Sequence, residues 1–363
     1  MSHSTRRIFV SDCEGPISKN DNAFELTSHY VPEGTSFFTL VSTYDDVLAD
    51  VVKRPGYKAG DTLKLILPFL KAYGVTNQAI IEYSAKNILL IPDATKMLQY
   101  VRKIMPAFIV STSYEQYMRA LCDLVGFPFE NVHCTKLDVD KYAINKKEAT
   151  RLKHLREEMV KMPIPEIPKG AKSLNDFPKA LQETVKRLNE IFWQELSGMA
   201  IGRILREVNP VGGKEKAQAV KTIAKRLKVN LDNVMYVGDS ITDASVFKLV
   251  RKGGGLTVSF NGNAYAVREA EIAVLSEDAI VTAILADAFK KYGKGFVMKL
   301  IDDWKPSTLE KFSLAQALKK HFLKLREKFP RAEIVTSENK ERLVKESATF
   351  RKTVRGEAIG KLG

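Results

Sequence analysis

The sequence predicts an α/β fold: a Rossmann-like parallel sheet with helices on both faces, interrupted by helical insertions. Three observations predict it. Short runs rich in β-branched and aromatic residues occur at Ile8-Phe9-Val10, Ala107-Phe108-Ile109-Val110, Val234-Met235-Tyr236-Val237, Leu256–Phe260 and Ile272–Leu275. Segments of helical periodicity lie between them, the alternation that builds a parallel sheet. Three of the runs pass directly into polar clusters, and open sheets of this kind bind ligands at the carboxyl ends of their strands.

The first strand leads into Asp12-Cys13-Glu14-Gly15-Pro16. Its carboxylates at i and i+2, followed by a sharp Gly-Pro turn, suit catalysis better than packing. From residue 19 to 91 the chain is mainly helical, with Val47, Leu48, Val51 and Val52 and then Leu63, Leu65, Ile66, Leu67, Phe69 and Leu70 at helical spacing, stopped at Tyr73-Gly74. The second strand, expected over 107–110, ends in Ser111-Thr112-Ser113. That turn serves either as the N-cap of the next helix or as a phosphate cradle.

Residues 139–206 break the alternation. Charged amphipathic stretches at Lys146–Met162 and Lys179–Arg206 flank a link holding Pro163, Pro165, Pro168 and Pro178. Leu181, Val185, Leu188, Phe192, Leu196 and Met199 form an apolar stripe, which predicts an inserted helical hairpin enclosing Phe192 and Trp193. After Gly212-Gly213 a helix over Lys214–Leu227 leads to the strand ending in Gly238-Asp239-Ser240-Ile241-Thr242-Asp243. The tail from 305 to 363 is expected to be helical, with Phe312, Ala315, Leu318, Phe322, Leu325 and Phe329 on one apolar face.

Composition narrows the function classes. A hydrophobic share of 45% supports a buried core, and the formal net charge of +14 favours anionic ligands. Residues 311–363 carry 14 Lys and Arg against 6 Asp and Glu, and residues 141–206 carry 14 against 8. These two stretches account for the whole excess. They are solvated helix faces or a surface for an acidic protein partner, without the interleaved aromatics that stack nucleic-acid bases. Cys13, Cys122 and Cys134 form no CxxC pair, and none of the 5 histidines has ligand spacing, which argues against zinc and for a reducing cytoplasm. No signal peptide and no apolar membrane span is evident, so an integral membrane protein is not expected. Lys214-Glu215-Lys216 lacks the GxxxxGK[ST] pattern of a phosphate-binding loop.

Asp12 and Glu14, Ser111, the lysines Lys214 and Lys216, and Asp239 with Asp243 together meet a definite chemical need. An aspartate attacking a phosphate ester brings two anions together. A divalent cation on hard oxygens and a lysine ammonium can neutralise them. The set resembles the haloacid dehalogenase (HAD) superfamily: a strand ending in DxD, a second ending in Ser or Thr, a lysine, and a strand ending in GDxxxD. It is similar to the phosphoserine phosphatase branch and to archaeal HAD-like proteins with a DxEGP first motif.

The resemblance implies a Mg2+-dependent phosphatase for a small phosphomonoester, working through an aspartyl-phosphate. Asp12 would be nucleophile and metal ligand. Glu14 would be acid/base, with its main-chain carbonyl on the metal. Ser111, Thr112 and Lys216 would hold the phosphoryl group, Lys216 fitting the branch better than Lys214. Asp239 and Asp243 would serve the metal, and Asp21 would meet the substrate where relatives place a cap glutamate. The implied division is an α/β core of 1–18, 92–138 and 207–291, a cap of 19–91, a hairpin insertion of 139–206 and a basic extension of 292–363. In this light a tail cut after Lys305 is expected to spare the chemistry.

Two departures stand out. Glu14 replaces the second Asp, and the extra methylene moves its carboxylate by roughly 1.5 Å. Slow or atypical turnover follows, because misplacements of about 1 Å cost about a hundredfold. No arginine matches the branch's carboxylate-binding cap arginine; Lys53 and Arg54 are merely nearby. The competing expectation is a weakly active or inactive accessory subunit that docks a partner through its basic helices.

Overall fold

The protein is described by a computed structural model covering residues 6–311, 315, 318 and 328–362. Its centre is a seven-stranded sheet in the order β3-β2-β1-β4-β5-β6-β7. The strands are β1 (Ile8–Ser11), β2 (Ala107–Tyr114), β3 (Val132–Thr135), β4 (Val234–Gly238), β5 (Leu256–Phe260), β6 (Ile272–Leu275) and β7 (Arg331–Ile334). All neighbours run parallel except β6 and β7. An α/β Rossmann-like sheet is therefore what the chain forms.

The strand pleat explains the apolar runs. Phe9, Ile109, Met235 and Val237 face a layer built from helices Ala94–Ile104, Glu115–Val125 and Ile280–Tyr292. Their chain neighbours Ile8, Val10, Val110, Val234 and Tyr236 face helices Gly213–Leu227 and Ala244–Lys252. Both faces are covered, so each central strand is apolar at every position rather than at alternate ones.

The sequence reading needs correction in several places. β2 does not stop at Val110 but continues to Tyr114, because Tyr114 pairs with Thr135 across an irregularity in the ladder. Ser111 therefore lies within a strand, and the following helix has Tyr114 at its N-cap. The tail is not helical throughout: Arg331–Ile334 adds the antiparallel edge strand. The second arm of the hairpin is not one helix. Lys179–Glu190 widens to a π turn at Ile191–Glu195 and ends in a 3-10 turn at Leu196–Gly198, where Ser197 and Gly198 are weak helix formers.

Residues 22–87 form a bundle of helices beyond the carboxyl edge of the sheet. The hairpin joins this bundle in one apolar cluster: Phe37, Phe69 and Leu70 pack with Leu152, Leu155, Val185 and Phe192. Tyr44 ties the two polar seams together, donating to Asn189 Oδ1 at 2.8 Å and accepting from Trp193 Nε1 at 2.9 Å. Of the expected tail stripe, Phe312, Phe322 and Leu325 lie outside the described residues. Leu318 is buried in the core layer, with Ala315 and Phe329 packed against it. None of the helices among the described residues is long and apolar enough to cross a membrane.

Candidate active site

The sheet reverses its winding between β1 and β4, and a crevice opens at that switch point. Asp12 leaves β1 there with its main-chain N–H on Val237 O at 2.8 Å. Asp239 leaves β4 beside it. The intervening loop turns at Gly15, whose φ is +103°, and a side chain there would collide with the Asp239 carboxylate. Gly15 therefore lets the DxEGP loop lie directly against Asp239. Gly238 plays a matching part, since a Cβ would strike the Asp243 carboxylate.

Lys216 is the electrostatic centre. It is fully buried, and its Nζ lies 2.6 Å from Asp12 Oδ2 and 2.8 Å from Asp243 Oδ1. Burial alone would lower the ammonium pKa, but Asp12 and Asp243 outweigh it and raise it. Lys214, two residues earlier, is exposed. Asp243 is saturated: Oδ1 also accepts from the Tyr236 hydroxyl at 2.6 Å, and Oδ2 accepts the N–H groups of Asp239 and Ser240 at 2.9 and 3.0 Å. It holds Lys216 and the turn in place. Burial raises Asp12 to about 7, with Lys216 pulling the other way and Asp243 and Asp239 adding to the rise.

Glu14 reaches away from β1 to the start of helix Asn22–Tyr30, where Oε1 accepts the Asn22 N–H at 2.7 Å. Burial and the nearby Asp21 push its carboxyl well above the ordinary value, against the Asn22 N–H and Arg355. Asp21 caps that helix through Phe24 N at 3.0 Å and also lines the cavity. Thr112 lines the cavity with its hydroxyl donating to Val211 O at 3.1 Å. Ser111, 1% exposed, bonds to Ser113 Oγ at 3.1 Å and is not part of the cavity wall.

Asp45 forms another buried acid on the cavity wall. Its oxygens accept from the Tyr57 hydroxyl at 2.6 Å and Gly60 N at 2.9 Å, while burial raises its carboxyl to about 7. The folded state therefore holds the proton more tightly than the unfolded chain, whose ordinary value is 3.8. The stability this confers is full below that value and is lost as pH rises through about 7. Asp45→Asn cannot ionise. In urea unfolding its midpoint should gain on the wild type as pH rises from about 4 to about 8; a constant gap would contradict this.

Two residues of the site escaped sequence reasoning. Arg351 and Arg355, from helix Lys340–Arg355, are 3% and 8% exposed and both bind Asp239 Oδ2, Arg355 at 3.0 Å. In the sequence they are two of many tail cations, and only their i,i+4 spacing marks a shared face.

Oxygens of Asp12, Asp239 and Asp243 lie within 4.8 Å of one another. Hard oxygens at this spacing suit a small divalent cation. All three carboxylates are engaged, Asp12 and Asp243 by Lys216 and Asp239 by the two arginines.

Comparison with known proteins gives the family and several similar structures. A family model described as haloacid dehalogenase-like hydrolase matches residues 66–284, more than half of the chain. The structure of the AF1437 gene product from Archaeoglobus fulgidus is similar at 26% identity and a TM-score of 0.80, covering 99% of both chains. A phosphoserine phosphatase solved as a phospho-aspartyl intermediate analogue is similar at 14% identity and a TM-score of 0.44, over 74% of this chain and 93% of that one. A substrate-bound phosphoserine phosphatase gives 13% and 0.46, over 77% and 97%. No curated protein matches the chain.

Proposed function

The chain belongs to the haloacid dehalogenase-like hydrolases, and within them we propose that it is a Mg2+-dependent phosphatase of a small phosphomonoester. The observation that carries this reading is the Lys216 ammonium, buried between Asp12 and Asp243 at the strand-end crevice that also holds Asp239.

In this reading Asp12 Oδ attacks phosphorus and the ester oxygen leaves, giving an aspartyl-phosphate. Lys216 keeps Asp12 in place and offsets its charge. Glu14, whose carboxyl burial and Asp21 push upward, suits the general acid that hands a proton to the leaving oxygen. The same residue, then ionised, would draw a proton from the water that opens the acyl phosphate. Thr112 would meet a phosphoryl oxygen at the cavity wall by turning its hydroxyl from Val211 O, while Ser111 would support the strand end that presents it. Asp21 stands on the same wall beside the entering ester.

Asp12, Asp239 and the Glu14 main-chain carbonyl would hold Mg2+, with Asp243 orienting the turn that presents Asp239. When bound, the ion offsets the negative charge shared by nucleophile and substrate.

Hydrolysis of a panel of small phosphomonoesters with Mg2+ tests the reading. Turnover that disappears in Asp12→Asn supports it, and turnover that survives the substitution refutes it. Glu14→Gln keeps an oxygen for Asn22 N–H but cannot carry a proton. Turnover should fall by about 10²–10⁴-fold with substrate binding retained, and an unchanged rate would remove Glu14 from proton transfer.

A further inference from the structure

Helix Lys340–Arg355 does more than complete the fold. Its first half is anchored at the sheet edge: β7 pairs with β6, Leu343 is buried with Val267 and Ala273, and Ser347 Oγ donates to Gly262 O at 2.6 Å. Its second half crosses the mouth of the crevice. Arg351 donates through Nη1 to both the Asp239 carboxylate and, at 3.3 Å, the Asp239 carbonyl. Arg355 donates to Asp239 Oδ2 at 3.0 Å, to Lys19 O at 2.9 Å and to Asn20 O. Beyond Gly356, Leu362 packs in the helical bundle.

Both guanidiniums thus converge on Oδ2 of Asp239, a carboxylate read above as serving a cation. A cation such as Mg2+ approaches its oxygens to about 2.0–2.1 Å, so one bound through Oδ2 would displace the arginines. The arginines also supply positive charge beside Asp239, whereas Lys216 is bonded to Asp12 and Asp243. Their fit is incomplete, because buried Arg351 Nε has no hydrogen-bond partner among the described residues. With the helix in place the cavity is about 100 Å3, well under the roughly 300–1,000 Å3 of small-molecule sites.

We propose that Arg351 and Arg355 are positioning residues that set the cation affinity of this site. They hold the Asp239 carboxylate in the cation-free protein and yield it to a divalent cation, and that exchange frees the end of the chain from 351 to 362. The inference rests on the reading of Asp239 as a cation ligand. A tail cut after Lys305 would remove both arginines along with the helix that carries them.

Binding of Mn2+ to the full-length protein, followed by electron paramagnetic resonance of the free ion, provides the test. The double variant Arg351→Met/Arg355→Met, verified as folded by circular dichroism, should bind Mn2+ about tenfold tighter or more than the wild type, as expected for removing charge-assisted competitors. Equal or weaker binding overturns the proposal. Should the variant fail to fold, hydrogen exchange of the wild type decides. Saturating Mg2+ should speed exchange across 351–362 and leave 331–345 unchanged, and unchanged exchange at 351–362 overturns the proposal. Asp239→Asn separates the proposal from its premise. If it binds Mn2+ as well as the wild type, the ligand reading itself fails. If it loses Mn2+ while the double variant gains nothing, only the arginine proposal fails.

Discussion

Lys216→Met is expected to destabilise the protein by about 3–5 kcal/mol, the usual cost of removing one partner from a buried ion pair. Lys216 is fully buried and is the ammonium shared by Asp12 and Asp243. Without it, two buried carboxylates face each other across the crevice. Asp243 keeps the Tyr236 hydroxyl and two N–H groups, but Asp12 keeps only the Cys13 N–H at 2.7 Å. The cost should therefore fall chiefly on Asp12, and neutralising it should repair much of the damage. Urea unfolding near pH 7 checks both statements: the double variant Lys216→Met/Asp12→Asn should be more stable than Lys216→Met alone. Lys214→Met, at an exposed position, should leave the midpoint where it is. A small loss for Lys216→Met would mean that the charges in the crevice are far better solvated than their burial indicates.

Asp12→Asn should cost turnover more than stability. The amide has one acceptor oxygen for either the Cys13 N–H or the Lys216 ammonium, and Lys216 keeps Asp243 as counter-ion. No uncompensated buried charge is created, so the loss of stability should be smaller than for Lys216→Met. The amide is no nucleophile, and loss of a covalent nucleophile costs on the order of 10⁴-fold or more. Measuring turnover and unfolding on the same preparation separates the two effects. A variant that unfolds would show that Asp12 is chiefly a structural partner of Lys216.

The central strands were legible because both their faces are covered, which writes them as unbroken apolar runs. β3 and β7 were not. Val132-His133-Cys134-Thr135 and Arg331-Ala332-Glu333-Ile334 lie at the two edges of the sheet, where polar residues alternate with apolar ones over only four positions. Asp12, Glu14, Lys216 and Asp239 could be named because each follows a recognisable strand or turn. Their order in the chain matched a chemistry, and the fold brings Asp12, Lys216 and Asp239 to one crevice.

The arginines could not be named in that way. Their bonds to Asp239 join residues 112 and 116 positions apart, and nothing local distinguishes a cation that folds back on the site from one that faces water. Ser111 was misplaced for a simpler reason. A polar triplet reads as a turn, whereas here Ser111 and Ser113 satisfy each other within the strand. The hairpin stripe was seen correctly as apolar, but its partner, the bundle of residues 22–87, could be found only in three dimensions.

The account turns on Asp12 becoming covalently phosphorylated, and one measurement addresses that directly. The protein would be mixed with Mg2+ and a hydrolysable phosphomonoester, quenched during turnover and reduced with borohydride, which converts an aspartyl-phosphate to homoserine. Peptide mass spectrometry should then find homoserine at position 12, absent when substrate is omitted. Turnover that leaves position 12 unmodified, or modifies another carboxylate instead, would contradict the account.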